Sequence, residues 1–230
     1  MVRAAAYAHE GFGLCRETGD LAGVASILTT LARLTYSQGD FSSPAPWLDE
    51  VLSIAHQLGD PVREAEALIT YGTLAYWQGD YEQALAYYVQ GIALGEKIGY
   101  RYQNLWAQIY MAHALMRQGN HQGARSLFEE GIRRMKEANL VIGLVFAIEG
   151  LASLYVKEEI FQRAVLLFAW AETTRDRIGD TRPPVEQTNV NRDLAILWSQ
   201  VDDSSFETLW EEGRGLTQER ALVIALSSEE

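Results

Sequence analysis

The chain has 230 residues, 48% hydrophobic and 22% charged, enough apolar material for a core, which excludes a disordered polymer. Lys plus Arg number 19 and Asp plus Glu 31, and a net charge of −12 repels a phosphate backbone, so nucleic-acid binding is not its expected task. Cys15 is the sole cysteine, which leaves no intramolecular disulfide and no cysteine-rich zinc site, and makes a reducing cytoplasm the expected location.

Taken in chain order, Met1 to Thr18 meets His9 and Glu10 too early for a secretion signal and reads as a helix over 2–17, with Ala4 and Gly11 as small positions. Turn-forming pairs then follow. Gln38-Gly39-Asp40, Gln78-Gly79-Asp80 and Gln118-Gly119-Asn120 recur at a step of 40 residues. Gly19-Asp20, Gly59-Asp60, Gly99-Tyr100 and Gly179-Asp180 run in antiphase, and the signal is lost at Asn139-Leu140. A turn therefore falls about every 20 residues, which predicts a repeated helix–turn–helix unit. First helices are predicted near 21–37, 61–77, 101–117 and 141–156, and second helices near 44–57, 81–97, 121–137 and 160–177. Asp60-Pro61 reads as an N-cap with proline at the first helical position, Asp80 with Gln83 as a capping-box variant, and Ser43 as the cap before Pro44. Three more helices are predicted near 184–200, 203–213 and 217–227. No segment shows strand alternation, and the longest apolar stretches, Leu140 to Ile148 and Ala164 to Ala171, fall short of the roughly 20 residues a spanning helix needs.

Small residues keep the same beat: Ala32, Gly72, Ala112 and Ala152; Ala84, Ala124 and Ala164; Gly91, Gly131 and Ala171. Such positions let a neighbouring helix approach to about 8–10 Å. Large residues, Leu48, Tyr88, Phe128 and Phe168 among them, fill the space around them. The expected fold is all-α, a right-handed α-solenoid of antiparallel helix pairs, with first helices lining a concave face.

Tyr71-Gly72, Gly79-Asp80-Tyr81, Ala84 and Tyr88 sit at the spacings of a tetratricopeptide repeat (TPR) and the chain resembles that family. The 40-residue period is similar to the variant found in bacterial signalling ATPases and MalT-like transcriptional regulators. The pattern departs from the family at the usual tryptophan, which is Leu28, Leu68, Gln108 or Ile148 here, and at Glu158-Glu159-Ile160, which replaces Gln-Gly-Asp. The resemblance implies a half repeat over 1–20, units over 21–60, 61–100, 101–140 and 141–180, and C-terminal capping helices over 181–230. It implies as well that the chain is the C-terminal, regulatory part of a longer signalling or transcription-regulating protein. The N-terminal helix lacks its partner first helix, so its open side is a candidate for self-association. A complete small protein with an atypical first helix is the alternative.

No catalytic constellation is legible, and the expectation is a non-enzyme with no cofactor and no metal. Gly11-Phe12-Gly13 lies within a helix and lacks the strand of a dinucleotide site. His9, His56, His113 and His121 fall on different helices at no ligand spacing. Cys15 reads as a partly buried structural thiol.

The informative positions are those that the repeat's geometry turns toward the concavity. They are Ser26, Thr29, Arg33 and Tyr36; Glu66, Ile69, Thr73, Tyr76 and Trp77; Trp106, Ile109, His113, Met116 and Arg117; and Phe146, Glu149 and Ser153. The candidate partner-binding groove is Arg33, Tyr36, Ile69, Thr73, Tyr76, Trp77, Trp106, Ile109, His113 and Arg117, rich in the aromatic and arginine types that dominate binding hot spots. Packing against the adjacent unit is the competing role for Tyr36 and Tyr76, whereas Trp77 and Trp106 lie off the periodic series and read as exposed. Two functions remain: a scaffold binding a protein or peptide in this groove, or a small-molecule effector sensor. An open channel favours the first and an enclosed pocket with convergent polar groups the second.

Overall fold

The computed structural model describes residues 2–227, with side chains from residue 6 onward. Twelve helices and no strand are found among these residues: α1 (Val2–Thr18), α2 (Leu21–Ser37), α3 (Pro44–Leu58), α4 (Pro61–Gln78), α5 (Tyr81–Lys97), α6 (Arg101–Arg117), α7 (His121–Glu137), α8 (Val141–Lys157), α9 (Phe161–Ile178), α10 (Pro184–Gln200), α11 (Asp203–Arg214) and α12 (Gln218–Leu226).

One turn design recurs along the chain. Gly19, Gly39, Gly59, Gly79, Gly99, Gly119 and Gly179 all adopt positive φ, and Asn139 (56°) and Glu159 (63°) take the same conformation. The next residue then donates its N–H to the carbonyl five positions back: Asp20 to Cys15, Asp60 to Ala55, Asp80 to Ala75, Asn120 to Leu115, Leu140 to Met135, Ile160 to Tyr155. This is the bond that closes a helix C-terminus through a left-handed residue. The same residue opens the following helix. Asp20 accepts from the N–H of Gly23, Asp60 from Val62 and Arg63, Asp80 from Gln83 and Asn120 from Gly123. The loss of Gly-Asp at 139–140 thus removes the cap but not the turn.

Two local readings need correction. Ser43 makes no side-chain cap bond. Asp40 organises that loop instead, accepting from the N–H and hydroxyl groups of both Ser42 and Ser43, bonds that hold its carboxyl well below the usual carboxylate range. Asp80 makes only half of a capping box, because its own N–H is committed to Ala75.

The chain forms two compact units, residues 1–110 and 111–230. In the first unit α1 packs on α2, α2 on α3, α3 on α4 and α4 on α5, and α2 lies beside α4. In the second, α7 packs on α8 and α8 on α9; α10 lies on α8 and α9, α11 on α9, and α12 on α7, α8 and α9. The small positions Ala32, Ala84, Ala112, Ala124, Ala152, Ala164 and Ala171 are fully buried, while the Ala4 side chain lies outside the described residues. A methyl group at Gly72 would meet the Tyr88 ring at 2.7 Å. Tyr88 is itself fully buried, and its hydroxyl donates to Thr73 Oγ1 at 3.1 Å. Among the described residues no helix is long and apolar enough to cross a membrane.

Candidate binding cleft

In the first unit, α2, α4 and α6 bring nine side chains around an open cleft of about 270 Å³: Arg33, Tyr36, Ile69, Thr70, Thr73, Tyr102, Gln103, Trp106 and Tyr110. Five of these were singled out by register: Arg33, Tyr36, Ile69, Thr73 and Trp106. Thr70, Tyr102, Gln103 and Tyr110 were missed, although Tyr102, Trp106 and Tyr110 recur at i, i+4 and i+8, which places them on one stripe of a helix. Tyr102 is 48% exposed and stands edge-on to Trp106, with ring centroids 6.5 Å apart.

Arg33 is exposed and makes no ion pair among the described residues. Its charge acts on Tyr100, whose hydroxyl donates to Glu66; burial, and then this bond and the Glu66 charge, push the Tyr100 pKa far up against the pull of Arg33 and Arg63. Thr73 is buried and its hydroxyl is already engaged, receiving from Tyr88 and donating to the Ile69 carbonyl at 3.1 Å. It therefore forms a floor and not a hydrogen-bonding contact. Tyr36 and Tyr76 are buried, and Tyr76 stacks edgewise on Trp77 at 4.9 Å.

The exposed reading of Trp77 and Trp106 is corrected: both are half-buried. Trp106 lines the cleft, whereas Trp77 packs against a core cluster of Ala32, Tyr36, Leu48 and Leu74 and lies outside the cleft lining. Ile109 is fully buried and Met116 nearly so.

His113 and Arg117 belong to the second unit. The His113 ring lies 4.9 Å from Phe128 and 5.0 Å from Phe146, and burial, followed by the charge of Arg117, lowers its pKa to about 3. Arg117 donates to Asn189 of α10 at 2.8 Å. Phe146, Glu149 and Ser153, read as groove residues, are buried. Glu149 receives Arg175 at 2.7 Å and Arg182 at 2.6 Å, and Arg182 reaches Glu172 at 2.7 Å. Burial opposes the charge on both guanidinium groups, but the hydrogen bonds and charges of the carboxylates, Glu149 foremost, outweigh it and raise their pKa values. The signal for this network is a lone carboxylate in VIGLVFAIEGLASLYVK, since such a group enters a core only with cations to meet it.

Among the described residues no group of three or more His, Cys, Asp or Glu side chains is placed to hold a metal ion. Cys15 is half-buried, its thiol 3.8 Å from Asp20 Oδ2.

Residues 63–137, reaching from the first turn of α4 to the end of α7, match the tetratricopeptide repeat family model. Comparison with curated proteins gives no match. Among solved structures, the crystal structure of BtubC (BKLC) from P. vanneervenii superposes with a TM-score of 0.66 at 16% identity, covering 96% of this chain and 89% of that one. At this identity the likeness is one of fold, an all-helical α-solenoid of consecutive helix pairs. The matched segment is similar to tetratricopeptide repeats, and repeats of this kind generally mediate contacts between proteins.

Proposed function

We propose that the chain is a non-catalytic interaction scaffold whose α2–α4–α6 cleft takes a peptide segment bearing a carboxylate beside an apolar side chain. The observation that carries this is the convergence of an exposed Arg33, without an ion pair among the described residues, with Tyr36, Ile69, Tyr102 and Trp106 around one opening, in a chain of net charge −12. Arg33 is the one charged side chain in the lining, so the cleft selects an anion by electrostatic complementarity, and the rings supply contact area at low entropic cost. Ile69 and Thr73 form the base, with Tyr76 and Ile109 buried in the same unit; Arg117 contacts α10 through Asn189, and His113 packs against Phe128 and Phe146 instead.

The cleft opens to solvent and is not an enclosed cavity, which favours the scaffold over an effector sensor. A place as the regulatory arm of a MalT-like signalling or transcription regulator in the cytoplasm accords with the 40-residue period. Self-association through α1 is supported by Tyr7 and Leu14, which are 70% and 57% exposed. Panning a random peptide library tests the main reading. Retained peptides should share an acidic residue near an aromatic or aliphatic one, and Arg33→Glu and Trp106→Ala should each weaken them about tenfold with helicity unchanged. Enrichment of basic peptides, or full affinity in both variants, would sink it.

A further inference from the structure

A second cavity, of about 430 Å³, opens between α10 and α11 in the second unit, lined by Leu194, Trp198, Phe206, Glu207, Trp210 and Glu211. Phe206 is buried and forms the middle rung of an aromatic ladder. Its ring lies 3.7 Å from that of Trp198 at 23°, and 5.6 Å from that of Trp210 at 13°. Trp198 nevertheless stays 47% exposed. The ladder thus fixes flat indole surfaces at an open cavity, where water is a poor partner for them.

The charge at this opening is negative. Glu207 makes no hydrogen bond or ion pair among the described residues. Among the described residues Glu211 pairs only with Arg214, at 3.0 Å and with side chains 71% and 55% exposed, a contact that solvent screens and a competing cation can replace. Indole faces carry negative quadrupole density, and an arginine guanidinium is planar, weakly hydrated and able to stack on a ring while its N–H groups fork onto a carboxylate.

The geometry points to an arginine-binding pocket: a partner polypeptide inserts an arginine side chain that stacks on Trp198 or Trp210 and donates to Glu207. This chemistry is opposite to that of the Arg33 cleft, so the two sites are separable by the charge of the peptide.

The test uses the whole chain and four capped peptides alike except for a central arginine, citrulline, lysine or norleucine, followed by NMR of the indole Nε1–H resonances, with Trp198→Phe and Trp210→Phe providing assignments. The arginine peptide should shift the Trp198 and Trp210 resonances saturably, citrulline and norleucine should bind about tenfold more weakly, and lysine should fall between. Glu207→Gln, a change at an exposed position, should weaken arginine binding several-fold and flatten its salt dependence with helicity unchanged. Equal binding of arginine and citrulline, equal binding of norleucine, no saturable shift at millimolar arginine peptide, or wild-type affinity in Glu207→Gln would each overturn the proposal.

Discussion

Glu159 holds a backbone conformation that its own Cβ opposes, with φ at 63° where seven of the equivalent turns use glycine. Left-handed backbone costs a non-glycine residue roughly 1–2 kcal/mol, while glycine gives back about 0.5–1 kcal/mol in unfolded-chain entropy. Glu159→Gly should therefore stabilise the protein by about 0.5–1 kcal/mol in urea unfolding; a loss of stability would show that the glutamate side chain has another task. His113 makes the opposite kind of demand. Its pKa falls from the ordinary 6.5 to about 3 on folding, so the unfolded chain binds the proton first. Stability from this residue is complete above pH 6.5 and declines as pH drops from 6.5 toward 3, by up to about 1.4 kcal/mol per unit. His113→Phe should unfold with a shallower acid dependence than wild type between pH 7 and 5, and identical profiles would refute the assignment.

Helices are specified here by their ends and by one tight contact. Asp60 serves two N–H groups at 3.1 and 3.2 Å, and Asp60→Ala should cost about 1 kcal/mol, measured as a shifted urea midpoint with an unchanged slope. At Gly72 the competing terms can be weighed. Alanine gains roughly 1 kcal/mol in helix propensity, but its methyl would lie 2.7 Å from two atoms of a ring anchored by its hydroxyl, an overpacking of about 1–3 kcal/mol. Gly72→Ala should destabilise, and Gly72→Ala combined with Tyr88→Leu should recover most of the loss, since leucine already stands at the matching position 48. Element positions were legible because each turn demands a left-handed residue followed by a cap, and glycine and aspartate serve those needs best. Legibility failed where another residue does the same work: Asn139 and Glu159 adopt the turn without announcing it, and Asp40 caps a loop from three residues before Ser43.

Across the chain, the candidate cleft was readable by register for Arg33, Tyr36, Ile69, Thr73 and Trp106, because residues 40 apart occupy equivalent helix faces. The last unit was not readable in this way. A first-helix face has the same sequence signature whether solvent or the chain's own α10 covers it, so Glu149 and Ser153 looked available. Glu149 is in fact only 4% exposed and bound by Arg175 and Arg182. Removing one member of a buried ion network strands the others, and Glu149→Ala should cost about 3–5 kcal/mol. Hydrogen exchange should show the loss in α8, α9 and α10, with amides of residues 1–100 unchanged; uniform acceleration along the chain would argue against a local role.

The regular left-handed turns make the polypeptide divisible into interchangeable cassettes. A block cut before Pro61 and after Tyr100 begins where a left-handed glycine has just closed one helix, and it ends at the same kind of closure. Excising or duplicating it rejoins like with like, so such a gene can shorten or lengthen by 40 codons at a stroke without inventing a new loop. Each added cassette would enlarge the accessible contact surface while leaving the folding rules of its neighbours untouched.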